Sequence, residues 1–220
     1  MGTVHIVDTV HITFRTDLAR TRILVIDGHP DPDSLTAALA REYAAGAGDD
    51  AVLLTLRDLA IDPHLHRGYR SGQPVEPDLV RARELIEWSE HITVLTPVWW
   101  GSVPALLKGF FDRTLVTGWA FRYQDNGRPE GLLGGRTGRV VVTADSPRWY
   151  LPLVGDTTVK QVKARTLEFC GLSPVRVTRF CSVHGASDER RAGWLADARR
   201  VGGDDARMPS RRDAPTSVAS

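Results

Sequence analysis

Apolar positions along the chain switch between two spacings, and the switching defines the elements. Short apolar runs, most of them rich in β-branched residues, occur at 22–27 (RILVID), 51–56 (AVLLTL), 91–96 (HITVLT), 139–144 (RVVVTA) and 175–180 (VRVTRF). Runs of this length predict strands buried on both faces. Between them the apolar residues recur at helical spacing. Leu35, Ala38, Leu39 and Tyr43 share one face of a helix over 34–45, with Asp33 or Ser34 as its cap and Gly46 as its stop. Pro77 and Asp78 open a helix over 77–89, which places Leu79, Ala82, Leu85, Ile86 and Trp88 mostly on one side. A helix over 102–115 carries Val103, Leu106, Leu107, Phe110 and Phe111. Two more helices are predicted over 157–170 and 187–200.

Five β-α units in series imply an α/β fold, a doubly wound five-stranded parallel sheet with helices on both faces. Strand order 2-1-3-4-5 fits best. In that order the ligand crevice lies past the carboxyl ends of strands 1 and 3, at the topological switch point. The loops that begin at Gly28, Pro97 and Asp145 therefore matter most.

The first of these loops is GHPDPDSLT, residues 28–36. A helix N-terminus offers backbone N–H groups and a favourable dipole to a phosphate. Ser34, Thr36 and the His29 ring can add donors, while Asp31 and Asp33 oppose an anion unless they turn away. A plain helix-capping turn is the competing explanation. The second loop, PVWWGS at 97–102, places adjacent tryptophans at a strand end. Flat rings there suit a planar ligand, although packing or dimer contact could also employ them. The third loop, 144–156, is long and holds Trp149 and Tyr150. The segment from Thr117 to Gly138 adds Trp119, Phe121 and Tyr123. Clustered around one crevice, these rings favour a large flat ligand.

Composition narrows the class. The chain has 220 residues, 42% hydrophobic and 25% charged, with a formal net charge of +1. That suits one domain with a sizeable core and gives no nucleic-acid or anionic-membrane signature. Cys170 and Cys181 are the only cysteines and are expected to be buried free thiols. No apolar run approaches the roughly 18 residues that span a bilayer. Residues 1–20 lack the pattern of a signal peptide and read as a loosely held extension, though Val4 to Phe14 alternate weakly enough to form an edge strand. Residues 202–220 are rich in Gly, Asp, Arg, Pro and Ser and read as a disordered tail, which leaves 21–201 as the domain. A cytoplasmic location is expected.

Other signatures fail. GAGDDA at 46–51 follows a helix where a dinucleotide loop must precede one. There is no P-loop and no nucleophile elbow. Asp62, His64 and His66 have metal-ligand chemistry but lie in a loop without further partners, so no metal is expected.

Three segments together, GHPDPDSLT, TPVWWGSVPALLKGFFDRTLVTGWAFRY and LEFCGLSPVRVTRF, resemble the NAD(P)H:quinone oxidoreductases of the flavodoxin-like proteins. The resemblance covers roughly residues 22–200, and the run with Pro104, Ala105, Leu107, Lys108, Gly109 and Phe111 is its most specific part. It implies a flavodoxin-like fold that binds FMN, or alternatively FAD, and takes electrons from NAD(P)H for quinones or similar flat acceptors. By this resemblance His29, Ser34, Leu35 and Thr36 hold the flavin phosphate region. Pro97, Val98, Trp99 and Trp100 border the ring, and Thr143, Ala144 and Asp145 approach its pyrimidine edge. Tyr150 lies at its reactive side, and Phe121, Tyr123 and Trp149 belong to the acceptor pocket, often completed across a homodimer. Some members place a histidine six residues beyond the tyrosine, where this chain has Asp156. An ionised carboxylate cannot donate, so that role falls to Tyr150 or to backbone donors. The runner-up function is a flavin-binding ancillary subunit of a transporter or redox partner.

Overall fold

Consecutive side chains of a strand point to opposite faces, so a central strand of a doubly wound sheet must satisfy two cores at once. The computed structural model, which describes residues 20–69, 73–151 and 153–209, meets this demand fully in two strands. Every residue of β1 (Ile23–Asp27) and β3 (His91–Pro97) is buried. With β2 (Ala51–Thr55), β6 (Thr137–Ala144) and β7 (Val175–Cys181) they form a parallel sheet in the order β2-β1-β3-β6-β7. Counting these strands alone, that is the predicted 2-1-3-4-5 order. The numbering gap is filled by a small antiparallel hairpin, β4 (Phe121–Tyr123) and β5 (Pro129–Gly131), which the sequence pattern did not separate from its loop.

Ile23, Val25, Leu95, Val141 and Phe180 pack under α1 (Leu35–Ala47) and α5 (Asp188–Ala206). Leu24, Ile26, Val94, Val140 and Val142 pack on the other face. There they meet α2 (Pro77–Trp88), α3 (Ala105–Thr114) and the segment after α4 (Thr157–Val159), which continues as a π-helical stretch, Lys160–Leu167. Ser34 caps α1 as expected, its Oγ accepting the Ala37 N–H at 3.1 Å. Cys170 and Cys181 are buried free thiols. No helix among the described residues is long and apolar enough to cross a membrane. Most of the extension expected at residues 1–20 lies outside the described residues.

The expected tail boundary at residue 202 is corrected. Helix α5 continues to Ala206, and Gly202, Gly203, Asp205 and Ala206 are buried. The glycines that suggested disorder serve close packing instead. A Cβ at Gly202 would lie 2.1 Å from the Tyr43 carbonyl oxygen of α1, so only glycine lets the helices approach this closely. Asp205, which looked like tail polarity, enters a buried network. Its Oδ2 accepts from Tyr43 Oη at 2.5 Å and from Arg139 Nε at 2.5 Å, and its Oδ1 accepts from Arg139 Nη2 at 2.8 Å. Thr93, His91 and Thr137 extend the network across the sheet.

Candidate functional site

The carboxyl ends of β1, β3 and β6 open into a cleft of about 180 Å³. His29, Ser34, Leu35, Thr36, Pro97, Val98, Trp99, Thr143, Ala144, Asp145 and Val183 line it. Ten of the twelve residues expected to hold a cofactor are thus brought together, and Val183, in the loop just after β7, is the addition that the sequence did not suggest.

The first loop presents donors in a defined state. Asp27, at the end of β1, is buried and paired with Arg57 Nη1 at 2.6 Å, and it accepts the His29 N–H at 3.1 Å. Arg57 also donates to the His29 carbonyl at 3.1 Å. The Asp31 N–H donates to His29 Nδ1 at 3.0 Å, which assigns the imidazole proton to Nε2. Burial lowers the His29 pKa, outweighing the raising effects of Asp27 and Asp31, so the ring is neutral near pH 7 and a donor at Nε2. Asp31 turns back into its own loop, Oδ1 accepting the Asp33 N–H at 2.9 Å. The Ser34 hydroxyl donates to the Asp31 carbonyl at 2.9 Å while capping α1, so its proton is committed and it does not serve as the free donor expected. The N–H groups of Leu35 and Thr36, in the first turn, have no acceptor within the helix. Thr36 and Thr143 share one proton between their hydroxyls at 2.8 Å, which leaves the other to donate elsewhere.

The second and third loops form the walls. Trp99 meets the His29 ring edge-on, centroids 5.4 Å apart at 78°. Trp100 is wholly exposed and does not line the cleft. Asp145 is occupied by structure: its Oδ1 accepts the His184 N–H at 2.9 Å, which ties the β6 end to the loop after β7. Tyr150 stands 41% exposed outside the lining and packs edge-on against Trp149, itself exposed. Asp156 bonds to Arg179 Nη2 at 2.5 Å, so its carboxylate is held as an ion pair. Arg179 lies inside an apolar strand and carried no sequence signal of a site.

Phe121 and Tyr123 sit on the β4–β5 hairpin, not in the cleft of the same chain. Phe121 packs against Phe169, centroids 5.0 Å apart, and Trp119 donates to Glu87 and lies under Arg83. Of the aromatic residues Trp119, Phe121 and Tyr123 in this segment, only Tyr123 is largely exposed. Asp62 bonds both His64 and His66, which hold its carboxyl far below the usual range. Among the described residues no group of His, Cys, Asp and Glu could hold a metal ion.

A cleft at the switch point of a doubly wound sheet, with helix-end donors on one side and indole on another, is what a flavodoxin-like protein presents. A family model described as flavodoxin-like fold matches residues 21–201, and the chain belongs to that family. It is 27% identical over 181 residues to an NAD(P)H oxidoreductase of Haemophilus influenzae, covering 78% of this chain and 89% of that one. It is 25% identical over 192 residues to an FMN-dependent NADH:quinone oxidoreductase of Pseudomonas savastanoi, covering 80% and 91%. The solved structure of Smu.1420 from Streptococcus mutans superposes with a TM-score of 0.73 at 27% identity, covering 83% of this chain and 98% of that one.

Proposed function

We propose that the chain is a flavin-dependent NAD(P)H:quinone oxidoreductase with FMN in the cleft between β1, β3 and β6. The observation that carries this is the pairing, at one switch point, of unspent helix-end donors with an indole wall. The fit is chemical. Leu35 and Thr36 N–H, the neutral His29 Nε2–H and one hydroxyl proton of the Thr36–Thr143 pair suit an anionic phosphate. The nearby carboxylates of Asp31 and Asp145 are turned to backbone donors and so present less charge to it. When bound, the flavin supplies two-electron, hydride-accepting chemistry. The protein's own contributions are orientation and charge. Trp99, fixed against His29, sets the plane in which a flat ring lies. Tyr150, whose hydroxyl has no partner among the described residues, donates toward negative charge that develops at the ring edge. One open wall admits one stacked ring, so nicotinamide and quinone take turns.

Phe121 and Tyr123, on the hairpin, do not line the cleft of their own chain, and a homodimer is proposed to bring them to the partner's acceptor pocket. Exposed Tyr69, Val75, Val80 and Tyr123 supply apolar surface for that contact. The first test is titration with FMN and with FAD, read by flavin fluorescence quenching. Binding of neither at micromolar concentration refutes the assignment. Steady-state NAD(P)H oxidation by the isolated protein with a quinone then separates an enzyme from an ancillary subunit.

A further inference from the structure

The two tryptophans of the second loop belong to a tight two-residue hairpin. Trp99 N–H donates to the Ser102 carbonyl at 3.0 Å and Ser102 N–H to the Trp99 carbonyl at 2.9 Å. The two residues between them, Trp100 at φ 52° and Gly101 at φ 70°, are both left-handed. Such a conformation is unfavourable for tryptophan and persists only where the surroundings fix it. Packing does not fix it here, because the Trp100 side chain is wholly exposed.

Helix α4 supplies the constraint. Thr157 Oγ1 donates to the Gly101 carbonyl, and Thr158 Oγ1 donates to the Ser102 carbonyl at 3.2 Å. Ser102 Oγ donates to Gln161 Oε1 at 2.8 Å. A Cβ at Gly101 would lie 2.9 Å from Thr157 Oγ1, so the approach requires glycine as much as the φ does. Gln161 stands on the π-helical stretch, where its own carbonyl accepts from Thr166 Oγ1, five residues on, at 2.9 Å. Single π-helical turns recur at functional sites. The N–H groups of Trp100 and Gly101 take no part in the hairpin bonds.

We propose that Thr157, Thr158 and Gln161 are positioning residues, a clamp that holds the Trp99–Ser102 turn in the conformation that receives the ring ligand. The inference rests on the flavin assignment for its ligand, but the clamp itself is a property of the protein alone. Because α4 starts immediately after Asp156, which is bound to Arg179 of β7, one helix start ties both the Trp99–Ser102 turn and the end of the third loop to the sheet.

The test compares Thr157→Val, which keeps shape and loses the hydroxyl, with Thr157→Ser, which restores it. Thr157 is exposed, so neither change opens a cavity. In the flavin-free protein, amide exchange at Trp99 and Ser102 should quicken about tenfold in the valine variant and return near wild type in the serine variant. FMN should bind the valine variant about tenfold more weakly, again with rescue by serine. Unchanged exchange in Thr157→Val, or equal damage in Thr157→Ser, overturns the clamp. Faster exchange with unaltered FMN affinity overturns its positioning role. If the wild type binds neither flavin, the ligand assignment fails, and the exchange measurement still decides the clamp.

Discussion

Asp205 gives the sharpest test of the fold, because the sequence placed it in a tail and the structure places it in a core. Its carboxylate is 3% exposed and takes hydrogen bonds from Tyr43 and twice from Arg139, whose side chain is 12% exposed. Asp205→Ala removes all three and leaves the Arg139 guanidinium, which keeps its bond to the Thr178 hydroxyl at 2.9 Å, without a carboxylate partner among the described residues. Breaking a buried pair on one side costs about 3–5 kcal/mol. For a domain of this size each kcal/mol is about 2–4 °C in Tm, so a fall on the order of 10 °C is expected in differential scanning calorimetry. Replacing both partners, as Arg139→Met with Asp205→Leu, should recover most of the loss, because no uncompensated charge remains. A change in Asp205→Ala within about 0.5 kcal/mol of wild type would refute the reasoning.

The same network sets a pH dependence. Burial lowers the His91 pKa to about 4; Asp205 opposes the shift, while Arg139 and Arg176 reinforce it. A depressed folded-state pKa means that the unfolded chain takes up the proton first as pH falls. The stabilisation is fully present above about 6.5 and is lost progressively as pH drops toward 4, by about 3 kcal/mol in all. Asp205 acts in the same direction at lower pH. Burial raises its pKa, but hydrogen bonds from Arg139 and Tyr43 and the nearby charges bring it below the usual carboxylate value. Urea unfolding midpoints between pH 7 and 4 measure the effect, and a His91→Asn variant should show a flatter slope. An identical slope would remove His91 as its source.

Four further outcomes concern the site and the assembly. Leu35→Pro deletes one N–H at the first position of α1, where the backbone of Ser34 (φ −69°, ψ 153°) already accepts a following proline. FMN affinity should fall by about 10- to 100-fold, the value of one charge-assisted hydrogen bond, with little change in Tm; unaltered affinity would exclude the helix end as the phosphate site. Tyr150→Phe should slow the reductive half-reaction about tenfold in stopped-flow absorbance, less than a sole donor would give, because backbone N–H groups share the charge. Double-reciprocal plots should be parallel, and light scattering should give twice the chain mass of 24.2 kDa, with Tyr123→Arg shifting it toward one; intersecting lines would show that both substrates bind together.

What was legible in the sequence divides along a physical line. Strand order and the location of the cleft follow from periodicity and chirality, which every β-α unit repeats. All the lining residues but Val183 followed because they cluster in three loops. The failures share a cause: each depends on a specific partner that local periodicity does not reveal. Gly202 looked like disorder until Tyr43 of α1 lay against it. Ser34 looked like a free donor until the Asp31 carbonyl took its proton. Phe121 gave no sign in the sequence of the Phe169 ring that packs against it.

Asp156 is the most consequential of these cases. Alone, an ionised carboxylate beside a site that must tolerate developing negative charge would oppose reduction. Paired with Arg179 at 2.5 Å, it contributes a nearly neutral dipole instead, and the pair is only partly exposed, at 18% and 25%. The two residues therefore have to be judged together. Removing the arginine strips the compensation and leaves the anion, whereas removing the carboxylate leaves a cation. The opposed single changes Arg179→Met and Asp156→Asn should shift the flavin midpoint potential in opposite directions, the first downward and the second upward, while the double change returns it near wild type. Potentials that move together, or not at all, would mean that the pair merely anchors α4 and is too distant to act on the ring.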